Sequence, residues 1–467
     1  MTEILSFDLV IAGAGFSGLE AAFGAIGVKG IKKIALISLK DGFSGSSFLN
    51  HNKQVGIQMP LTEKEKENFI NRAIEIAYPG YIDKKLINIL MEDVEERFFE
   101  IQRLGIDFIV DNKGNLTKFK GCFLSEQNSA IVILNLKSAF LRFFNRIKHK
   151  ICFLPDVCIL KILVDKMEKR ILGLICFDIK KNKLFAIKTK SLVMATGGVA
   201  SLFLYNISWT HPFSGITVGV LKDASVKLVN EGFIQMLWLN TSTLEFFSYN
   251  YFKEGNLVIG RGQKNISLPS QYLNLIDERD SHCPIGYGMD DFKLDKFLLQ
   301  FITKKGVKLR DKNRFFFIRP FAQAQNGGVK IDEHGMSSVK GLFACGECAS
   351  GMHGANRIGG AMILSCLVFG FRAGKYAAIF SKENKFLSDK IFTNLVNDFL
   401  NEIKCLNSQD NHRGIEISKT LLLGEKEELI KIRENIHKEL EVQQAYIERL
   451  KLMSLLTIVE GRLKGLN

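Results

Sequence analysis

The 467-residue chain is 46% hydrophobic and 24% charged, apolar and long enough to bury a sizeable core and to divide into two or three domains. Its formal net charge of +14 is spread along the sequence. That pattern reads as solvated faces and argues against a nucleic-acid-binding arm.

Glu3 and Asp8 flank the start of the first apolar run, which is unlike a signal peptide, and the nine cysteines fit a reducing, cytoplasmic compartment better than a disulfide framework. Later apolar stretches such as 191–209 are interrupted by Gly197, Gly198 and Asn206, so no transmembrane segment is expected. Phe7 to Ile11 predicts a β-strand running directly into Gly13-Ala14-Gly15-Phe16-Ser17-Gly18 and an alanine-rich helix. In that setting the glycines form a dinucleotide-binding fingerprint: Gly13 for the tight turn, Gly15 for close approach of a pyrophosphate, Gly18 for packing of helix on strand. The next strand, Lys33 to Ile37, ends in Ser38 and Lys40, where many such folds place an acidic residue on the ribose. This argues against ordinary NAD binding. Gly45-Ser46-Ser47-Phe48 follows, and Met194-Ala195-Thr196-Gly197-Gly198 closes a further apolar run.

The stretch from Gly341 to Gly370 is the most informative. An apolar strand leads through Gly346 and Glu347 into a loop with His353, Gly354, Asn356 and Arg357, then into an apolar helix. A guanidinium in a glycine-rich loop at a helix start combines a bidentate clamp for a carboxylate with free backbone N–H groups. Gly359 and Gly360 leave room for a planar cofactor. The bland alternative is a buried turn with a structural arginine. Cys345 and Cys348 form a CxxC that reads as a redox dithiol, half of a metal site, or small apolar residues in a tight turn; with no second CxxC the last reading is preferred and no metal is expected. From about residue 384 the chain becomes charged, and Lys426 to Lys464 carries Leu429, Ile432, Ile436, Leu440, Ile447, Leu450, Met453 and Leu456 at near-helical spacing, predicting a C-terminal helical domain used for docking rather than chemistry.

Together these segments, in this order, resemble the flavoprotein family of L-aspartate oxidase, fumarate reductase and succinate dehydrogenase, with the L-aspartate oxidase branch the most similar. Ser38, Lys40 and Gly45-Ser46-Ser47-Phe48 look like that branch's serine-lysine strand end and GSTF-like segment; Thr196-Gly197-Gly198 looks like its second flavin contact; and Asn356-Arg357 lies in its HGANR motif. The resemblance implies an α/β fold: a Rossmann-like FAD-binding domain from residues 1–231 and 325–383, an inserted capping domain at 232–324, and a C-terminal helical segment at 384–467. It implies non-covalent FAD held by Gly13, Ala14, Gly15, Phe16, Ser17, Gly18, Ser38, Lys40, Ser46, Ser47, Gly56, Thr196, Gly197, Gly198, Glu347, Met362 and Ile363. His51 lies near the position where membrane-bound relatives attach flavin covalently, but the aligned residue is Ser47.

The implied reaction is hydride transfer between flavin and a small carboxylate, either oxidation of L-aspartate to iminoaspartate or, with an electron-transfer partner protein, fumarate reductase or succinate dehydrogenase chemistry. Arg357 would anchor the carboxylate. Arg279, within Asp277-Glu278-Arg279-Asp280, would move the proton or else form an ion pair with its acidic neighbours. His353 would face the substrate or shape the loop, and His211-Pro212 would be a structural turn. Several motif positions depart from the family pattern. Leu237 replaces the histidine of an EFxQFHP segment, Gln323-Ala324 an HY pair, and Cys122-Phe123 part of a GGHS segment; Val218 stands for the aspartate of GDG and Met362 for a serine. Three hydrogen-bond donors are thereby lost from the expected pocket, where unpaired charge is costly. A diverged FAD-binding protein without this catalysis is therefore a third reading.

Overall fold

The computed structural model describes residues 3–40, 45–49, 55–106, 108–119, 121–124, 130–133, 136–253, 257–261, 264–311, 314–403, 405–406, 416 and 418–466. Its first layer is a sheet in the order Cys152–Leu154, Ile34–Ile37, Glu3–Ala12, Lys183–Met194, Arg170–Asp178, Val157–Asp165. The first four run parallel, with Leu9 opposite Ile34 and Val10 opposite Leu192. Leu342–Ala344 adds a further parallel partner to the end of Lys183–Met194. Leu9 to Ala12 are wholly buried, as expected for a parallel strand covered on both faces.

Helix Phe16–Ile26 packs against helix Ala361–Glu383, and glycines let the two backbones touch. A Cβ on Gly24 would lie 2.2 Å from the Phe371 carbonyl, and one on Gly374 would lie 1.8 Å from that of Ala21. Among the described residues Ala361–Glu383 is the one helix long and apolar enough to cross a membrane; here much of it is buried in this packing.

Glu20 lies inside that contact. Its Oε2 has no hydrogen-bond partner, and burial, helped by Glu100 and opposed by Arg97 and Arg146, pushes its carboxyl from 4.5 up to about 8. Between those values the folded chain holds a proton that the unfolded chain has released, so this group's stabilising contribution is full below pH 4.5 and is lost as pH rises toward 8, by up to about 1.4 kcal/mol per pH unit. Glu20→Gln is expected to flatten the dependence of Tm on pH across that window and to be more stable than the parent at pH 8; parallel Tm curves for the two proteins would remove Glu20 as the cause.

A second sheet, antiparallel, has the order Ile234–Asn240, Arg314–Gln325, Val307–Asp311, Leu257–Arg261, Lys264–Ile266. Trp238, Tyr249 and Tyr287 are buried behind it. The C-terminal helices Lys426–Val442 and Tyr446–Lys464 share this core through Leu429, Ile436, Leu455 and Ile458, while Ile447 and Leu450 join the core of the first sheet. Tyr446–Lys464 therefore wedges between the two layers. Ser454 Oγ accepts a hydrogen bond from Gly219 N at 2.8 Å, and a Cβ on Gly219 would lie 2.1 Å from the Leu450 carbonyl. This explains Val218: it packs in the core of the second layer, while its neighbours Thr217 and Val220 face the cavity described next.

Candidate functional site

A cavity of about 650 Å³ runs along the C-terminal ends of the parallel strands and under the second sheet, where open α/β folds bind their ligands. Its wall begins at Gly13, Ala14, Gly15, Phe16 and Ser17 and at Ser38. The glycines work locally. Gly13 has φ +111° and a Cβ there would meet the Ala195 carbonyl at 2.2 Å; a Cβ on Gly18 would meet the Gly13 carbonyl at 1.8 Å. Gly18 thus tightens the turn and lies outside the lining. A Cβ on Gly15, by contrast, has no atom within 4 Å.

Ser46, Ser47, Gly56, Thr196, Gly197 and Gly198 continue the wall, followed by Glu347, Met362 and Ile363. Glu347 is fixed by a hydrogen bond from Gln325 N at 2.8 Å, and burial raises its carboxyl above the ordinary range. Helices Phe16–Ile26 and Ala361–Glu383 both begin at the cavity with glycine N-caps and no side-chain cap, leaving N–H groups for an anionic or carbonyl-bearing ligand. An elongated cavity with two uncapped helix starts, walled by glycine, suits a dinucleotide. Lys40 is outside the lining: its ammonium lies 5.4 Å from the Trp209 ring centroid, and Trp209, not Lys40, contributes to the wall. His51 lies outside the described residues.

At the other end, Arg357 is 8% exposed. Its Nη2 donates to Gln235 Oε1 at 2.6 Å and its Nε to Asn326 Oδ1 at 3.2 Å. Nη1 has no hydrogen-bond partner among the described residues, and the side chain lines the cavity beside Gln235, Leu237 and Gln323. Gln235 belongs to the segment whose histidine is lost as Leu237; only the match of that segment to a family motif pointed to it.

His353 is placed differently from a substrate-facing residue. It is buried outside the lining, Nε2 is unpaired, and burial together with the neighbouring Arg357 holds its pKa well below the usual histidine value. Its carbonyl accepts from Asn230 Nδ2 at 2.9 Å, so it shapes the loop.

Arg279 is also away from the lining. Its Nε lies 2.9 Å from Asp295 Oδ2 and its Nη1 donates to the His282 carbonyl at 2.8 Å. Asp295 is fully buried and accepts in addition from Trp238 Nε1 at 2.8 Å and Tyr249 OH at 2.7 Å. The expected alternative of an ion pair is realised with Asp295 rather than with the acidic neighbours in sequence. A guanidinium so engaged braces the buried Asp295 and the His282 loop.

The CxxC sulfurs point to separate partners, Cys345 Sγ to the Ser17 carbonyl and Cys348 Sγ to that of Gly197. No group of three or more metal-ligating side chains occurs among the described residues.

Comparison with known proteins agrees with this geometry. Residues 8–219 and 276–363 match the family model described as an FAD binding domain. The chain is 26% identical to a polypeptide of the CoM/CoB fumarate reductase of Methanothermobacter marburgensis, over 81% of this chain and 73% of that one. It is 25% identical to an L-aspartate oxidase of Clostridium acetobutylicum, over 91% of this chain and 99% of that one. In fold it is similar to the quinol fumarate reductase flavoprotein of E. coli, with a TM-score of 0.70 at 18% identity, covering 99% of this chain and 88% of that chain. The chain belongs to the FAD-binding family of succinate dehydrogenase, fumarate reductase and L-aspartate oxidase flavoproteins, and is an FAD-dependent oxidoreductase.

Proposed function

We propose that this flavoenzyme acts on a small carboxylate anchored by Arg357, with oxidation of L-aspartate to iminoaspartate as the leading reaction and a fumarate reductase type of reaction as the alternative. The observation that carries the reading is the guanidinium itself: buried, aimed into the FAD cavity, held by Gln235 and Asn326, and with Nη1 left for a ligand. Bound FAD supplies two-electron hydride chemistry. Gly13 to Ser17, Ser38, Ser46, Ser47, Gly56, Thr196 to Gly198, Glu347, Met362 and Ile363 would hold it, in a domain assembled from 1–231 and 325–383 under a cap at 232–324. The relatives' names, mixed between L-aspartate oxidase and fumarate reductase, support both substrates; a fumarate reductase role would add a partner protein as electron source.

The test is anaerobic bleaching of the flavin by L-aspartate or succinate, and reoxidation of the reduced flavin by fumarate. Arg357→Lys is expected to weaken carboxylate binding by about 2–4 kcal/mol, because a point ammonium cannot reach Gln235, Asn326 and the ligand in the guanidinium's fork geometry and leaves a buried partner short. Unchanged affinity would make Arg357 structural. A second reading, an FAD protein with altered chemistry, is favoured by Arg279, whose guanidinium is committed to Asp295. It prevails if no carboxylate changes the flavin spectrum.

A further inference from the structure

We propose that Cys122 and Cys283 form a dithiol–disulfide couple that exchanges two electrons with the bound FAD. The two residues are 161 positions apart, yet Cys283 N donates to Cys122 Sγ at 3.4 Å, which sets the two cysteines side by side. Both line the FAD cavity, at the end that also holds Gln235, Arg357 and Gly359. Forming the S–S bond requires the two sulfurs to close to about 2.05 Å by side-chain rotation.

The loops presenting them are held from several sides. On one side Cys122 is tied by its carbonyl to Gly359 N at 3.1 Å, and a Cβ on Gly359 would lie 2.8 Å from Cys122 N. The next residue, Phe123, sits at φ +69°, a costly conformation for a bulky side chain. Its carbonyl accepts from Arg72 Nε at 2.6 Å, and its ring stacks on His282 with centroids 4.2 Å apart. On the other side, His282 is held through Nδ1 at 2.7 Å from the Pro284 carbonyl and Nε2 at 2.7 Å from Asp291, and its own carbonyl by Arg279. Cys283 thus presents its backbone N–H to Cys122 from a braced loop and remains exposed in the cavity wall.

The chemistry of the pair is asymmetric. The neighbouring Cys283 thiol and backbone N–H, with His282 and Arg357, lower the Cys122 pKa against the opposing effect of burial, while Cys283 is raised beside Cys122. A stabilised thiolate is the competent nucleophile in disulfide exchange. The other internal cysteines differ: Cys158, Cys176, Cys345, Cys348 and Cys366 are buried, and burial raises all five. Oxidation of the couple forms one S–S bond and releases two protons and two electrons, the complement taken up when FAD becomes FADH2. In the reverse direction, reduced flavin returns both and the S–S bond breaks. The disulfide would also tie the loop at 121–124 to the second layer.

The inference rests on FAD in the cleft and not on the carboxylate reading, so dicarboxylates can fail to bleach the flavin while the couple stands. The test is dithionite titration of the air-oxidised, FAD-loaded protein under argon, with alkylation and peptide mapping at each stage. The parent is expected to consume four electrons per flavin, two for FAD and two for the disulfide. Cys122 and Cys283 should become alkylated together during the titration, while the exposed Cys152 reacts throughout. Cys122→Ser and Cys283→Ser, or the alanine pair if serine impairs folding, should keep the flavin spectrum and consume two. Two electrons in the parent, four in both variants, or free thiols at both positions in the oxidised protein would overturn the proposal; the parent's titration and map decide the matter without the variants.

Discussion

Gly15→Val is expected to give a folded protein that has lost its FAD. Gly15 precedes helix Phe16–Ile26 with φ −74° and ψ −176°, ordinary extended backbone that valine adopts readily. A Cβ there meets no atom within 4 Å, so the fold has no objection to the side chain. The open space is the cavity itself, at the turn where a dinucleotide's pyrophosphate reaches the backbone and the uncapped N–H groups. Any block costing more than about 1.4 kcal/mol already lowers affinity tenfold, and an isopropyl group in the path of a pyrophosphate exceeds that. The ratio of flavin to protein absorbance after gel filtration should collapse while the far-UV spectrum stays that of the parent. Gly13→Ala is the contrasting control, since φ +111° and a 2.2 Å approach to the Ala195 carbonyl make its defect one of folding. Normal FAD content in well-folded Gly15→Val protein would remove the fingerprint from the pyrophosphate site.

Gly13, Gly15 and Gly18 are legible in the sequence because their spacing belongs to one strand-turn-helix unit, although the Ala195 carbonyl that Gly13 also accommodates comes from a remote strand. The same holds for Gly197, Gly198 and the Arg357 loop, whose motifs carry their geometry with them. The C-terminal helices are legible as helices through their apolar spacing, but their docking is not, since nothing at Gly219 or Gly232 signals that helix Tyr446–Lys464 will cross there. The placement of Lys40 outside the cavity wall is not legible, since Trp209, which it meets, is remote in sequence. Cys122 and Cys283 follow no spacing rule at all; only the folded chain brings the loop at 121–124 against His282.

Arg279 is the clearest case of this limit, and it yields the second large effect. Its partner Asp295 lies on helix Phe292–Leu299 between Lys293 and Lys296, and nothing in the sequence pairs it with Arg279. In the fold Asp295 is fully buried and takes hydrogen bonds from Arg279, Trp238 and Tyr249 at once. Burial raises its carboxyl, opposed chiefly by Arg279. Arg279→Ala removes the compensating charge and strands a buried carboxylate, which costs about 3–5 kcal/mol. It also releases the His282 carbonyl and with it the loop that carries Cys283. The expected result is a large loss of Tm, partly recovered in the double variant Arg279→Met with Asp295→Asn, because an apolar residue and a neutral amide leave no charge to desolvate. A proton-transferring arginine predicts the opposite pattern: near-normal Tm in Arg279→Ala with flavin reduction by carboxylates abolished, and no recovery of anything in the double variant. Thermal unfolding and substrate bleaching measured on the same three proteins separate the two roles.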